Sequence, residues 1–110
     1  MREILFKAKS KISNETVEGD LVRKNGETYI CMNGAYVPVY PETVGEFTGI
    51  TNMYGQKIFE KDIVKTVYGN GEVSFSKGEF YVFVKDWGVP SVDRYMKVLG
   101  NIYDNPELLI

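Results

Sequence analysis

Asn70-Gly71-Glu72-Val73-Ser74-Phe75-Ser76-Lys77-Gly78-Glu79-Phe80-Tyr81-Val82-Phe83-Val84-Lys85 is the stretch that decides the fold. Two glycine dipeptides, Asn70-Gly71 and Lys77-Gly78, bracket Glu72 to Ser76, a run with the length of a short strand. Glu79 to Lys85 follows, and its five consecutive residues Phe80, Tyr81, Val82, Phe83 and Val84 are strongly β-prone. Alternation puts Tyr81 and Phe83 on one face of that strand and Phe80, Val82 and Val84 on the other. Both faces are therefore apolar. One fills a core, and the other needs a cover, from a second sheet or from another chain.

The same grammar extends upstream. Asn25-Gly26 and Asn33-Gly34 suit tight type I′ turns, because both residue types tolerate positive φ, and they flank Thr28-Tyr29-Ile30-Cys31-Met32. At the N-terminus Ile4, Phe6 and Ala8 alternate with Lys7, Lys9 and Lys11, the period of a strand with one wet face. Strands are expected near 2–9, 17–23, 28–32, 35–39, 62–68, 71–76, 79–85 and 97–103. Pro41-Glu42-Thr43-Val44 reads as a helical turn, as does Pro106 onward behind a cap at Asp104 or Asn105, and Val92 to Met96 reads as one more turn. The stretch 40–61 carries no clear strand pattern and is long for a structureless connection, so it holds short structure or forms a surface element.

The two halves echo each other. Asp20-Leu21-Val22-Arg23-Lys24 parallels Asp62-Ile63-Val64-Lys65-Thr66, Asn25-Gly26-Glu27 parallels Asn70-Gly71-Glu72, and Asn33-Gly34 parallels Lys77-Gly78. Each half reads as a three-stranded meander, a pattern that any two meanders with glycine turns would share. A true repeat implies two small sheets packed as a sandwich or a partly closed barrel.

Composition bounds the function. With 110 residues, the chain has the length of one domain, 1–110, and 44% hydrophobic residues give it material for a core. Thirteen basic and fifteen acidic residues leave a net charge of −2, which favours neither polyanions nor membranes as partners. No apolar run approaches the length of a membrane helix or of a signal peptide, and the single cysteine excludes an internal disulfide. The expected setting is cytoplasmic. Histidine is absent. That removes Ser-His-Asp and Cys-His catalysis, imidazole metal sites and a histidine pH switch.

The remaining candidates read mostly as architecture. Glu60 and Asp62, two apart, would share a face on a strand, where they are a carboxylate pair or a turn device. Glu42 and Glu46 would align only on a helix, which Gly45 disfavours. Cys31, flanked by Ile30 and Met32, has no activating histidine and reads as a small strand residue. Gly69-Asn70-Gly71 precedes a strand and is not a phosphate loop. Neither a catalytic residue nor a cofactor or metal site emerges. Lys7, Lys9 and Lys11 have two readings: they protect an edge strand from pairing with another molecule, or they contact a polyanion. Tyr81 and Phe83 are the candidate interface residues.

Four segments then resemble, in order, the YopX-like family of phage and prophage proteins. They are Met1-Arg2-Glu3-Ile4-Leu5-Phe6-Lys7-Ala8 with Val17-Glu18-Gly19-Asp20-Leu21; Val39-Tyr40-Pro41-Glu42-Thr43-Val44-Gly45-Glu46-Phe47-Thr48-Gly49; Tyr54-Gly55-Gln56-Lys57-Ile58-Phe59-Glu60-Lys61-Asp62-Ile63-Val64; and the tail Val98-Leu99-Gly100-Asn101-Ile102-Tyr103-Asp104-Asn105-Pro106-Glu107-Leu108-Leu109. The family usually has Tyr at Phe47 and Phe59, Leu at Ile50, Asp at Asn52 and Gly at Lys61. If that glycine takes positive φ, lysine there costs about 1 kcal/mol. The resemblance implies a phage or prophage setting and a β-rich fold, with no reaction attached.

The expectation is a mainly β chain, a partly closed SH3-like barrel or two-sheet sandwich with short helical turns. Its function is expected to be that of a non-enzymatic accessory protein working through protein–protein contacts, as a homo-oligomer or with a host or phage protein. The alternatives are a nucleic-acid-binding module using the lysine edge and exposed aromatics, and a histidine-free carboxylate enzyme.

Overall fold

The computed structural model describes residues 3–110, so Arg2 and the start of the first expected strand lie outside the described residues. The chain divides into two compact units, Met1–Phe47 and Thr48–Ile110.

In the first unit β1 (Phe6–Lys9), β2 (Thr16–Lys24), β3 (Glu27–Met32), β4 (Ala35–Pro38) and the start of β5 (Gly45–Thr51) pair antiparallel in the order β4-β3-β2-β1-β5. Asn25-Gly26 and Asn33-Gly34 close the two hairpins with φ of 52° and 79°, and 51° and 81°, the double positive φ that a type I′ turn requires. Ala8, Ile30 and Val39 are buried, with Phe6, Val17, Leu21, Val37 and Val44 packed on them.

The lysine strand is not an edge. β1 pairs with β2 through Phe6↔Gly19 to Lys9↔Thr16 and with β5 through Phe6↔Glu46 and Lys7↔Gly45. Past that pairing the Lys9 N–H donates to Thr43 Oγ1 at 2.8 Å, and Lys9 O accepts from Tyr40 N at 3.0 Å. Alternation in a sequence identifies the wet face of a strand. It carries no information about the strand's position in the sheet, which depends on partners distant in the chain.

The second unit holds the rest of β5, beside β6 (Lys57–Phe59), and a four-stranded antiparallel sheet in the order β10-β7-β8-β9: β7 (Asp62–Thr66), β8 (Gly69–Ser76), β9 (Glu79–Val84) and β10 (Lys97–Asn101). Its core is Ile58, Val64, Val73, Val82, Val84, Val92 and Met96, with Ile50, Phe80 and Val98 against them. β5 and β6 lie inside the stretch 40–61, where the sequence shows no strand pattern. Glycines at 45 and 49 interrupt the alternation, and Gly49 sits at φ 90°. Pro41–Thr43 and Pro106–Leu109 form short 3₁₀ turns where helical turns are expected. Asn105 makes no side-chain capping bond to the second of them. Residues 92–96 form a turn without helix, in which Asp93 Oδ1 accepts from Tyr95 N at 2.9 Å.

Lys77-Gly78 turns as expected, with φ of 52° and 81°. Asn70-Gly71 does not. The chain reverses earlier, at Val67-Tyr68, with Thr66 paired to Gly69, and both residues of the dipeptide lie within β8. Gly71 faces β9 at close range. A Cβ there would lie 2.5 Å from Val82 Cγ1 and 2.7 Å from Phe83 O. Its glycine serves close approach rather than reversal. The fold is thus mainly β with two antiparallel sheets and short 3₁₀ turns, and no closed barrel forms among the described residues. No helix among them is long and apolar enough to cross a membrane, which leaves strand-spanning barrels unaddressed.

Candidate functional site

The turn from Asn52 to Gln56 joins β5 to β6, and one side chain holds it. Asn52 is 5% exposed, and its Oδ1 accepts from Tyr54 N at 3.0 Å and Gln56 N at 2.9 Å. Its Nδ2 donates to Gln56 Oε1 at 2.9 Å and to Met96 O at 2.8 Å. Every donor and acceptor site of that amide in use favours asparagine over an acceptor-only aspartate. Gln56 continues the link: Val98 N donates to its Oε1 at 3.0 Å, and Met53 N donates to Arg94 O at 2.8 Å. The turn is thereby fastened along β10 and the segment before it. Tyr54 is carried to the surface, its ring 5.5 Å from Lys97 Nζ.

Beside Tyr54 lies a groove of about 440 Å³, lined by Tyr54, Tyr68, Tyr95, Lys65, Lys97 and Asp93 among others, with the buried Met96 also in its wall. Trp87 packs on Tyr68 at 5.0 Å between ring centroids, and the Arg94 guanidinium lies 5.5 Å from the Tyr95 ring. Lys65 and Lys97 are direct cross-strand partners. Two like charges in that position destabilise a sheet. Sequence reasoning missed this site. Lys65 and Lys97 both fall in expected strands, but their pairing depends on β10 returning beside β7, which no local pattern encodes.

The aromatic strand β9 divides as alternation requires. Val82 and Val84 are buried, while Phe83 is 58% exposed and Tyr81 half-buried. Phe83 stands beside Glu72 and Tyr81 beside Ser74 on β8. Burial holds the Glu72 carboxyl above its ordinary value, with Lys61 opposing and Glu60 reinforcing the shift. Desolvation and a hydrogen bond with Glu79 raise the Tyr81 phenol. β9 is the last strand of its sheet, but its outer edge is occupied: Val82 N donates to Pro90 O at 2.8 Å and Val84 N to Gly88 O at 2.9 Å. Toward the other end of β8, Asn70 Nδ2 donates to Leu108 O at 2.9 Å, docking the C-terminal turn.

The lysines do not form one stripe. Lys7 and Lys9 are half-buried on one side of β1, whereas Lys11 lies beyond the strand, where its N–H donates to Pro38 O. Lys11 Nζ sits 3.5 Å from Glu27 Oε2 and 5.9 Å from the Tyr40 ring. The carboxylate pair also separates: Glu60 is in the β6–β7 turn, and Asp62 is fully buried with its Oδ2 accepting from Phe59 N at 2.9 Å. Glu42 lies in the first 3₁₀ turn and Glu46 in β5, so no helix aligns them. Cys31 is half-buried in β3. No group of three or more metal-ligating side chains occurs among the described residues. Lys61 takes φ 75°, so the condition under which a lysine at this position carries backbone strain is met; its N–H donates to Val73 O and its carbonyl accepts from Ile102 N.

Three comparisons bear on identity. The protein-family model described as YopX protein matches residues 2–110. No curated protein matches the chain. Among solved structures, the crystal structure of protein EF1440 from Enterococcus faecalis is similar over 100% of both chains, with a TM-score of 0.65 and 19% sequence identity, a likeness of fold alone.

Proposed function

The chain belongs to the YopX protein family, and from that premise we propose that it is a non-enzymatic accessory protein of phage or prophage origin, acting in the cytoplasm through protein–protein contacts. Its first contact is with a second copy of itself, through the β9 face bearing Tyr81 and Phe83. The observation that carries this reading is Phe83, a large apolar side chain 58% exposed on a strand whose other face is core. A lone exposed aromatic is ordinary, but here Tyr81 lies on the same face. The closed outer edge of β9 directs association to the face instead of to strand addition. The lack of any histidine in the sequence, and the use of Asp62 to pin the β6–β7 turn, support a non-catalytic role.

Light scattering on the purified protein tests it. The expected mass is about twice that of one chain or a higher multiple, falling to one chain in Phe83→Asp with the fold retained by circular dichroism. A monomeric wild type at high concentration sinks the self-association reading.

A further inference from the structure

We propose that the tyrosine groove of the second unit binds single-stranded nucleic acid, with bases stacking on Tyr54, Tyr68 and Tyr95 while Lys65 and Lys97 hold phosphates. This goes beyond the self-association reading and uses different residues.

The charge arrangement argues for an anionic occupant. Lys65 and Lys97 are directly opposed across β7 and β10, both exposed, and they line the same groove. That pairing opposes sheet stability, and the contact of Lys97 Nζ with the Tyr54 ring at 5.5 Å offsets only part of it, so a local rule is broken at a surface where an anion would relieve it. An anion that neutralises both cations removes the repulsion. The acid among the lining residues, Asp93, has Oδ1 engaged with Tyr95 N at 2.9 Å, inside the turn that presents the Tyr95 ring.

The ring arrangement argues for unstacked bases. Tyr54 is 55% exposed, Tyr68 48% and Tyr95 67%, and each sits in a turn. Tyr54 is fixed by the Asn52 network, Tyr68 N donates to Thr66 Oγ1 at 3.0 Å while its ring packs on Trp87, and Tyr95 N donates to Asp93 Oδ1 at 2.9 Å. Rings already held in place lose little entropy on binding. Base–aromatic stacking tolerates any sequence, because every base has a π-face, whereas bases inside a duplex are already stacked and cannot reach these rings. A mononucleotide offers one base for three rings and one phosphate for two lysines. A strand of several nucleotides satisfies all five.

The test is titration of a fluorescently labelled oligothymidylate and the matching oligouridylate, followed by anisotropy and by quenching of Trp87, the only tryptophan of the chain. At low salt the full-length protein is expected to bind, with quenching because the Trp87 ring packs on Tyr68. Two phosphate contacts give a log–log salt slope of about −1.4, and Lys65→Gln or Lys97→Gln each reduces it by about 0.7. Tyr95→Ala weakens binding about tenfold. Lys24→Gln, on β2 of the first unit, leaves affinity unchanged. Circular dichroism confirms that each variant folds. No binding at low salt overturns the proposal, as does an unaltered affinity in the Lys65→Gln/Lys97→Gln protein. Equal affinity for a blunt duplex or for thymidine monophosphate also overturns it. None of these outcomes bears on the oligomeric mass, so the self-association reading stands or falls separately.

Discussion

The meander β2-β3-β4 in the first unit and the meander β7-β8-β9 in the second are built from parallel stretches of sequence, yet they turn differently. The first uses Asn-Gly at both reversals, with both residues of each pair at positive φ. The second keeps only the Lys77-Gly78 reversal. Its own Asn-Gly has moved into β8, where Gly71 packs beneath Val82 and Val84 and Asn70 reaches across to Leu108 O. A turn dipeptide permits a reversal without compelling one. In the second unit the register that buries Val64, Val73, Val82 and Val84 on one face outweighs the local preference of Asn70-Gly71.

The sharpest break of this comparison is at Gly71. Gly71→Ala is expected to lower stability by about 2–3 kcal/mol, because the new methyl meets Val82 Cγ1 and the Phe83 carbonyl, neither of which can yield cheaply. Asn25→Ala, in a true turn with open space around its glycine neighbour, costs only about 1 kcal/mol of left-handed backbone strain. Urea unfolding of both variants measures the difference, and equal losses would mean that the two Asn-Gly sites are equivalent after all.

A smaller effect of opposite sign is expected at Lys61, which enters β7 at φ 75°. Lys61→Gly relieves about 1–2 kcal/mol of strain. It restores about 0.4–1 kcal/mol of unfolded-chain entropy that opposes folding. The net gain is about 0.5 kcal/mol, read as a small rise in Tm. A fall in Tm would assign more weight to the contact of Lys61 Nζ with the Tyr103 ring, 5.9 Å away.

The smallest effect concerns Glu72, a half-buried carboxylate on β8 of the second meander. The Glu72 carboxyl is raised above 4.5 in the folded protein by burial. The native state therefore holds this proton more tightly than the unfolded chain does. Its contribution is present at pH below the unfolded value and is lost as the pH rises through the folded value. Glu72→Gln is expected to match the wild type in acid and to exceed it slightly near neutrality. Denaturation midpoints at two pH values decide this, and a gap that widened toward acid would reverse the assigned direction.

Local chemistry made much of this legible. Strands 17–23, 28–32, 35–39, 71–76 and 79–85 emerge within a few residues of where they were expected, since β-branched and aromatic runs between turn residues report directly on strand formation. The two faces of β9 follow from period two. The candidate groove was not legible, although its residues sit in quoted motifs. Tyr54 belongs to the family segment Tyr54–Val64, and it reads as turn chemistry until the Asn52 amide is seen to fasten that turn beside Lys97.

By itself, the sequence determined a mainly β chain, three of the four glycine turns and the absence of imidazole chemistry. Each of these follows from dihedral freedom, alternation or composition, which act between near neighbours. Tertiary structure alone decided that the lysine strand is central, that Asn70-Gly71 is strand instead of turn, and that Lys65 faces Lys97. These depend on which strands lie side by side, and that is set by burying apolar faces contributed from distant parts of the chain.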